Sequence, residues 1–531
     1  MPNLWETIMQ LWKKPDLLDR PILKLNDSDA LSIRDLAAGT LITGMTGGGK
    51  TSGPAATILR GFLRAGMGGV LTTAKPDDVE MIRKLCAEEG RLDSLIVWDG
   101  RNGGFNFLAW ILAQLGDDAV EVAIEFLNRV FELKQASSAV PGGSGDQFWT
   151  DSRLADLRAT LPILHAATDT IRVADILRFA RSAPSSPEQM KDPNWQRESF
   201  FYRMCVLAAA KLPDAVGENC IDHWLERAKL DARTRGNTLV SLTTPLDALN
   251  NGWLRRAFCE ETTIVPELAF EGVIIVLDMP ALTRHEDGIF AQQIFVSAFQ
   301  RAVLYRNALP KRYRTRPVFK LIDEFPLFCN AQYAQFLGTC RSSRCCTVLL
   351  AQSLPSLVAR MTGPNAEQRA QSLIANCAIK IWAANSCSAT NEWAAKTIGR
   401  TLQVRGNYSH NEGHNRNLGM NMGHGSNWGS SSQGGGSSSY GKGGGSSGSS
   451  WGHGSSSGGN ENWGRNRGTG SSHGQSWGES EVLDYAVEPG AFGWMLKTGG
   501  PANGNRVSAI VYSAGKIFAS GSPALLVEFA Q

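Results

Sequence analysis

The chain has 531 residues, 42% of them hydrophobic, enough for a large core and for two to four domains, or for one large domain with a big insertion. Its 53 basic and 50 acidic residues leave a formal charge of +3, so bulk charge points to neither a nucleic-acid nor a membrane partner, and any DNA contact has to come from local patches or pore loops. Ten cysteines without a CxxC pair argue against a disulfide scaffold and read as buried reduced thiols, and no apolar run reaches the length of a membrane span.

Residues 1–33 read as a docking segment, with apolar residues at 4, 5, 8, 11 and 12 spaced for a short amphipathic helix. Then comes "LITGMTGGGKTSG". Gly44, four residues, and Gly49-Lys50-Thr51 have the spacing of a phosphate-binding loop, between an apolar strand-like run and a helix-like one. Gly44, Gly47, Gly48 and Gly49 let the backbone curl around phosphate oxygens, with Thr46 and Ser52 completing the cradle at the positive end of a helix. Lys50 is placed to reach the terminal phosphates and Thr51 to ligate Mg2+.

Further strand-like runs follow at "GGVLTTA", "SLIVWDG", "GVIIVLDMP", "VFKLIDEFP", "CCTVLLAQS" and "AIKIWAAN". Alternating with helical segments, they predict a mostly parallel, doubly wound sheet. The core is expected over 34–110 and 271–404, interrupted by an all-helical inserted domain at 111–270, where helical periods replace β-branched runs. In "VFKLIDEFP" an apolar strand ends in Asp323-Glu324: Asp323 is the expected metal carboxylate and Glu324 the residue that polarises an attacking water. A guanine-specifying NKxD motif is missing, which favours ATP. The next strand ends in Gln352, placed to sense the γ-phosphate at the crevice beyond the strand ends. Arg341, with Arg344 as reserve, is a candidate for stabilising charge in a neighbouring subunit's site.

From 405 to 480 the chain is almost wholly Gly, Ser and Asn and holds five of the eight histidines, a composition that predicts a disordered insertion before the core resumes at 481–531. Trp-Gly recurs there at Trp428, Trp451, Trp463 and Trp477, with His424, His453 and His473 between, a pattern also suited to aromatic stickers on a flexible loop.

These motifs, in this order, resemble the conjugative coupling ATPases of type IV secretion, the TraG/TraD group of the FtsK–HerA superfamily. The resemblance runs from about Arg34 to Leu402 through "TTAKPDD" with Lys75, "FNFL" with Asn106, "FWTDSRLADLRATL", "LIDEFP", the eleven-residue step from Arg341 to Gln352 and "SATNEWAAKTIG", and resumes at "VEPGAFGWMLKTGG". It departs in two places: no acidic residue precedes Lys75, and the membrane-spanning helices usual at the start of such proteins are missing, so a soluble relative is expected. The resemblance implies a RecA-like P-loop core and a ring, expected to be a hexamer, that hydrolyses ATP with Mg2+. It also implies DNA, single-stranded or relaxase-bound, and secretion-system or membrane adaptor proteins as partners, in the bacterial cytoplasm or peripheral to the inner membrane. Two other readings stay open at this point: a soluble FtsK–HerA-type ATPase of DNA processing or phage defence, and a nucleotide-gated recruitment module without motor activity.

Overall fold

A computed structural model describes residues 16–115, 118–137, 146–330, 332–361, 365–419, 432–439, 446–453 and 466–531. The amphipathic segment expected before residue 16 lies outside them, as do Trp428, Trp463 and His424. In chain order the strands are β1 (Pro21–Lys24), β2 (Ala30–Ser32), β3 (Thr40–Thr43), β4 (Gly68–Thr72), β5 (Leu95–Trp98), β6 (Ile274–Leu277), β7 (Val318–Ile322), β8 (Cys345–Ala351) and β9 (Ile379–Ala383). After β10 (Arg400–Gly419), β11 (Ser432–Ser439), β12 (Ser446–His453) and β13 (Asn466–Tyr485) come β14 (Arg506–Ser513) and β15 (Ala524–Ala530).

Nine strands form one sheet in the order β15-β14-β9-β3-β8-β7-β4-β6-β5. The seven from β9 to β5 are mutually parallel, each corresponding to one of the seven apolar runs in the sequence. An antiparallel hairpin, β14–β15, extends the β9 edge. Six of the parallel strands (β3, β4, β6, β7, β8 and β9) are buried at every residue, which is why they read as continuous apolar runs rather than alternating ones. Alternate side chains feed two cores. On one face Ile42, Leu71 and Val348 meet Ile58, Leu59 and Phe62 of the helix Ala56–Arg64 and Ile82 of the helix Asp77–Glu88. On the other, Leu41, Val70 and Ile275 meet Phe295 and Phe299 of the helix Ala281–Tyr305.

This second core continues into the helices between β5 and β6, where Leu127, Leu157, Leu177 and Leu246 belong to the same buried cluster. The two ends of that helical run are pinned together: Phe105 N–H donates to Ala257 O at 2.7 Å, and Thr263 N–H donates to Gly104 O at 2.8 Å. Asn106 completes the clasp, its side-chain oxygen accepting Ala109 N–H at the start of the helix Phe107–Leu115 while its amide donates to Glu260 O. Among the described residues no helix is long and apolar enough to cross a membrane. The ten cysteines are unpaired and eight are buried.

Residues Arg400–Asp484 form a separate unit. Its described backbone is extended, with β10 laddered to β13 and β11 antiparallel to β12. A ladder needs only backbone N–H and C=O groups, which glycine and serine supply, so the lack of core-forming side chains does not prevent local pairing.

Candidate active site at the ends of three strands

The parallel order β3-β8-β7 sets three strand ends side by side, and each delivers one part of the site. At the end of β3 the loop Gly44–Lys50 leads through a wide turn, Thr51–Ala55, into the helix Ala56–Arg64. Gly47 and Gly49 hold φ of 76° and 79°, a region that disfavours any residue with a Cβ. At Gly49 space is closed as well, because a Cβ there would lie 2.4 Å from Val507 Cγ2. Met45 N–H donates to Ala384 O and Gly48 N–H to Met45 O, both at 2.9 Å, which fixes the curl. Thr46 and Gly47 are exposed at its crest.

The end of β7 supplies the carboxylates. Thr51 Oγ1 donates to Asp323 Oδ2 at 3.2 Å, and Glu324 N–H donates to Asp323 Oδ1 at 2.8 Å. Asp323 is 9% exposed, and burial pushes its carboxyl above the usual range, against the pull of the nearby Lys50 ammonium; Asp78 and Glu324 push it further up. Glu324 adopts a left-handed conformation, φ 48° and ψ 49°, unusual for a residue with a side chain and of the kind that redirects a functional group. Lys50 Nζ lies 3.6 Å from Glu324 Oε1.

From the end of β8, Gln352 Nε2 donates to both Glu324 carboxylate oxygens at 3.2 Å, while Asn385 Nδ2 holds the Gln352 carbonyl at 2.9 Å. Lys50, Thr51, Asp323, Glu324 and Gln352 are therefore one contiguous constellation, although 302 positions separate the first from the last (352 − 50). Its chemistry fits a polyphosphate with a hard divalent cation: a buried carboxylate beside a hydroxyl offers oxygen ligands, and the glycine loop at a helix start offers N–H groups and positive potential.

Residues 317–442 match the family model described as the TraM recognition site of TraD and TraG. Among solved structures, the unbound monoclinic form of the bacterial conjugative coupling protein TrwBdeltaN70 superposes with a TM-score of 0.53 at 13% identity, over 97% of this chain and 90% of that one. The fold is that of a coupling protein. TrwB in complex with ADP and Mg2+ is 15% identical over 72% of this chain and 81% of that chain, with a TM-score of 0.46. For VirB4 of Thermoanaerobacter pseudethanolicus the figures are 14%, 72%, 92% and 0.41. No curated protein sequence matches the chain.

On this coupling-protein fold Arg341 stands apart from the constellation. It is exposed in the turn before β8, while Gln352 follows the other end of that strand, seven residues or roughly 23 Å of extended chain away. Arg344 is already engaged, its guanidinium donating to Thr315 O at 2.9 Å from a residue with φ of 57°. Sequence reasoning missed Asp78. In "TTAKPDD" it singled out Lys75, whose side chain is exposed, whereas the Asp78 carboxylate accepts the N–H groups of Ala74 and Lys75 and lines a small cavity with Thr51 and Asp323. The available signal was the acid pair opening the helix Asp77–Glu88, where carboxylates favour a helix start. A second omission is "KRYRTR": Lys311, Arg312, Arg314 and Arg316 are all exposed just before β7, at the sheet end opposite the phosphate loop.

Proposed function

We propose that the chain hydrolyses ATP with Mg2+ and, assembled as a ring of identical subunits, moves DNA or a DNA–protein substrate towards a type IV secretion channel. The observation that carries this reading is the Lys50–Glu324–Gln352 contact set beside Thr51 and Asp323. A phosphate loop alone would serve a kinase or a switch. A carboxylate held at the loop's lysine by the neighbouring strand's glutamine is the arrangement that water activation needs.

Each group has a role set by its position. Lys50, freed from Glu324 as phosphate takes its place, neutralises the terminal phosphate oxygens. Thr51 and Asp323, with Asp78 behind them, would hold Mg2+, whose charge would offset that on those same oxygens. Glu324 then accepts the proton of the attacking water, and Gln352 keeps both carboxylate oxygens oriented until that water arrives. Arg341 cannot reach its own subunit's phosphates across the length of β8, so in a ring its role falls to the neighbour's site.

Support for a DNA partner comes from the four cations from Lys311 to Arg316, with no acidic residue among them. Their hydrogen bonds run to Tyr313 OH and to the carbonyls of Leu309 and Gly66 rather than to carboxylates, which leaves their charge uncompensated. Such a patch supplies the local attraction for phosphates that a net charge of +3 does not. The expected place of action is the cytoplasmic side of the inner membrane, reached through a partner protein. The test is the ATPase rate with and without single- and double-stranded DNA on material of measured mass: stimulation by DNA in the oligomeric fraction supports the reading, and a rate indifferent to DNA in every fraction contradicts it.

A further inference from the structure

The phosphate loop is also gripped from a side that the chemistry above does not use. Gln531 Nε2 donates to Ser52 Oγ at 2.6 Å, in the turn that opens the loop's helix. Its Oε1 accepts Gly500 N–H at 2.6 Å, and its own N–H donates to Asn505 O at 3.0 Å. The oxygen and nitrogen ends of the amide thus have different partners, which fixes the side chain's orientation. The same segment walls the loop: Thr498 bridges Val507 in antiparallel fashion, and an added Cβ on Gly49 would lie 3.2 Å from Thr498 O as well as against Val507.

A serine hydroxyl has one proton and two acceptor positions. With one acceptor position filled by the Gln531 amide, the Ser52 proton is free to donate away from it. The backbone N–H groups of a helix's first turn also have no partner within the helix, so a donating hydroxyl there adds to an anion-binding end. We infer that Gln531 is a positioning residue for the bound nucleotide: it orients the Ser52 hydroxyl as a donor to a phosphate oxygen and ties the loop to the β14–β15 hairpin. This rests on the reading of the loop as an ATP site and adds to it a residue 479 positions away (531 − 52).

A merely structural clasp would lower the melting temperature and leave nucleotide affinity alone, so the test separates affinity from turnover. Gln531→Ala is expected to weaken ATP binding about fivefold, the worth of one hydrogen bond, with turnover at saturating ATP held within about twofold. Gln531→Glu, which loses the donor and sets a carboxylate near the phosphates, is expected to weaken it about tenfold or more, with a larger loss at low salt. Ser52→Ala should abolish the dependence on residue 531, so that the double variant binds no worse than Ser52→Ala alone, whereas Ser52→Thr should retain it. Wild-type affinity in Gln531→Ala, or losses that simply add in the double variant, overturns the inference. Lys50→Ala is measured alongside: if it too binds ATP normally, the site reading itself fails, whereas lost binding there with normal binding in Gln531→Ala sinks only the role of Gln531.

Discussion

Lys320 sits in the middle of β7, three residues before Asp323, and is fully buried. Its ammonium has no hydrogen-bond partner among the described residues and lies 4.3 Å and 3.9 Å from the ring centres of Tyr333 and Phe336. Burial pulls its pKa from 10.5 to about 7, with Cys345, Cys340 and Cys377 opposing weakly. A drop of that size corresponds to about 5 kcal/mol lost on folding with the group charged, since each unit is about 1.4 kcal/mol. Attraction to the two rings returns about 2 kcal/mol, leaving a net cost of about 3 kcal/mol. Lys320→Met keeps the stem's volume and places sulfur against the same rings, so it is expected to stabilise the fold by about 3 kcal/mol at pH 6.5. The sign with pH follows from linkage. A lysine whose folded pKa is depressed carries its full penalty below that value, because the unfolded chain holds the proton more tightly. The penalty fades as pH rises towards 10.5, so the gain from methionine should shrink to about 1 kcal/mol at pH 9.5. Urea unfolding of both proteins at the two pH values measures this. A variant no more stable than wild type at pH 6.5, or a gain undiminished at pH 9.5, would show that the buried Lys320 charge does not cost the fold stability.

Arg341→Ala should keep ATP affinity and lose turnover, and mixing it with Glu324→Gln should restore part of the activity through interfaces that pair an intact glutamate with an intact arginine; no restoration in proven mixed rings would remove the trans role. Gly49→Ala, forced into φ of 79° with its Cβ 2.4 Å from Val507, should abolish ATP binding and cost on the order of 2 kcal/mol in stability, read from nucleotide titration and a thermal melt. Replacing 410–478 with a short Gly-Ser linker should leave the melting temperature and basal hydrolysis nearly unchanged, because Ala486 N–H already donates to Gly399 O at 3.1 Å across the base of the insertion and closure depends weakly on loop length. A protein that fails to fold would show that the insertion is structural.

The seven parallel strands were legible because each is a mostly apolar run, and six of them are covered on both faces, with Lys320 in β7 and Lys380 in β9 the charged exceptions. The hairpin β14–β15 was not: β15 alternates exposed and buried residues, and both strands follow a long glycine-rich stretch that hides their continuity with β9. At the site, the parts that could be read were the glycine loop, Asp323-Glu324 and Gln352, because each lies at a strand end. Asp78 and Gln531 reach the loop only through tertiary packing, and no spacing along the chain announces it. Arg341 was legible as a candidate, yet its exposed position means that what it faces is decided by assembly rather than by this chain alone.

On the proposed reading, Glu324 activates water at a site where Lys50 holds the phosphates. This is tested most directly by measuring ATP affinity and phosphate release separately in Glu324→Gln, with Mg2+ present and with Lys50→Ala as the binding-deficient reference. The expected result is an affinity within about twofold of wild type and a release rate lower by about a hundredfold or more, the range expected when a general base is removed. Phosphate release at the wild-type rate from a Glu324→Gln protein that binds ATP normally would contradict it.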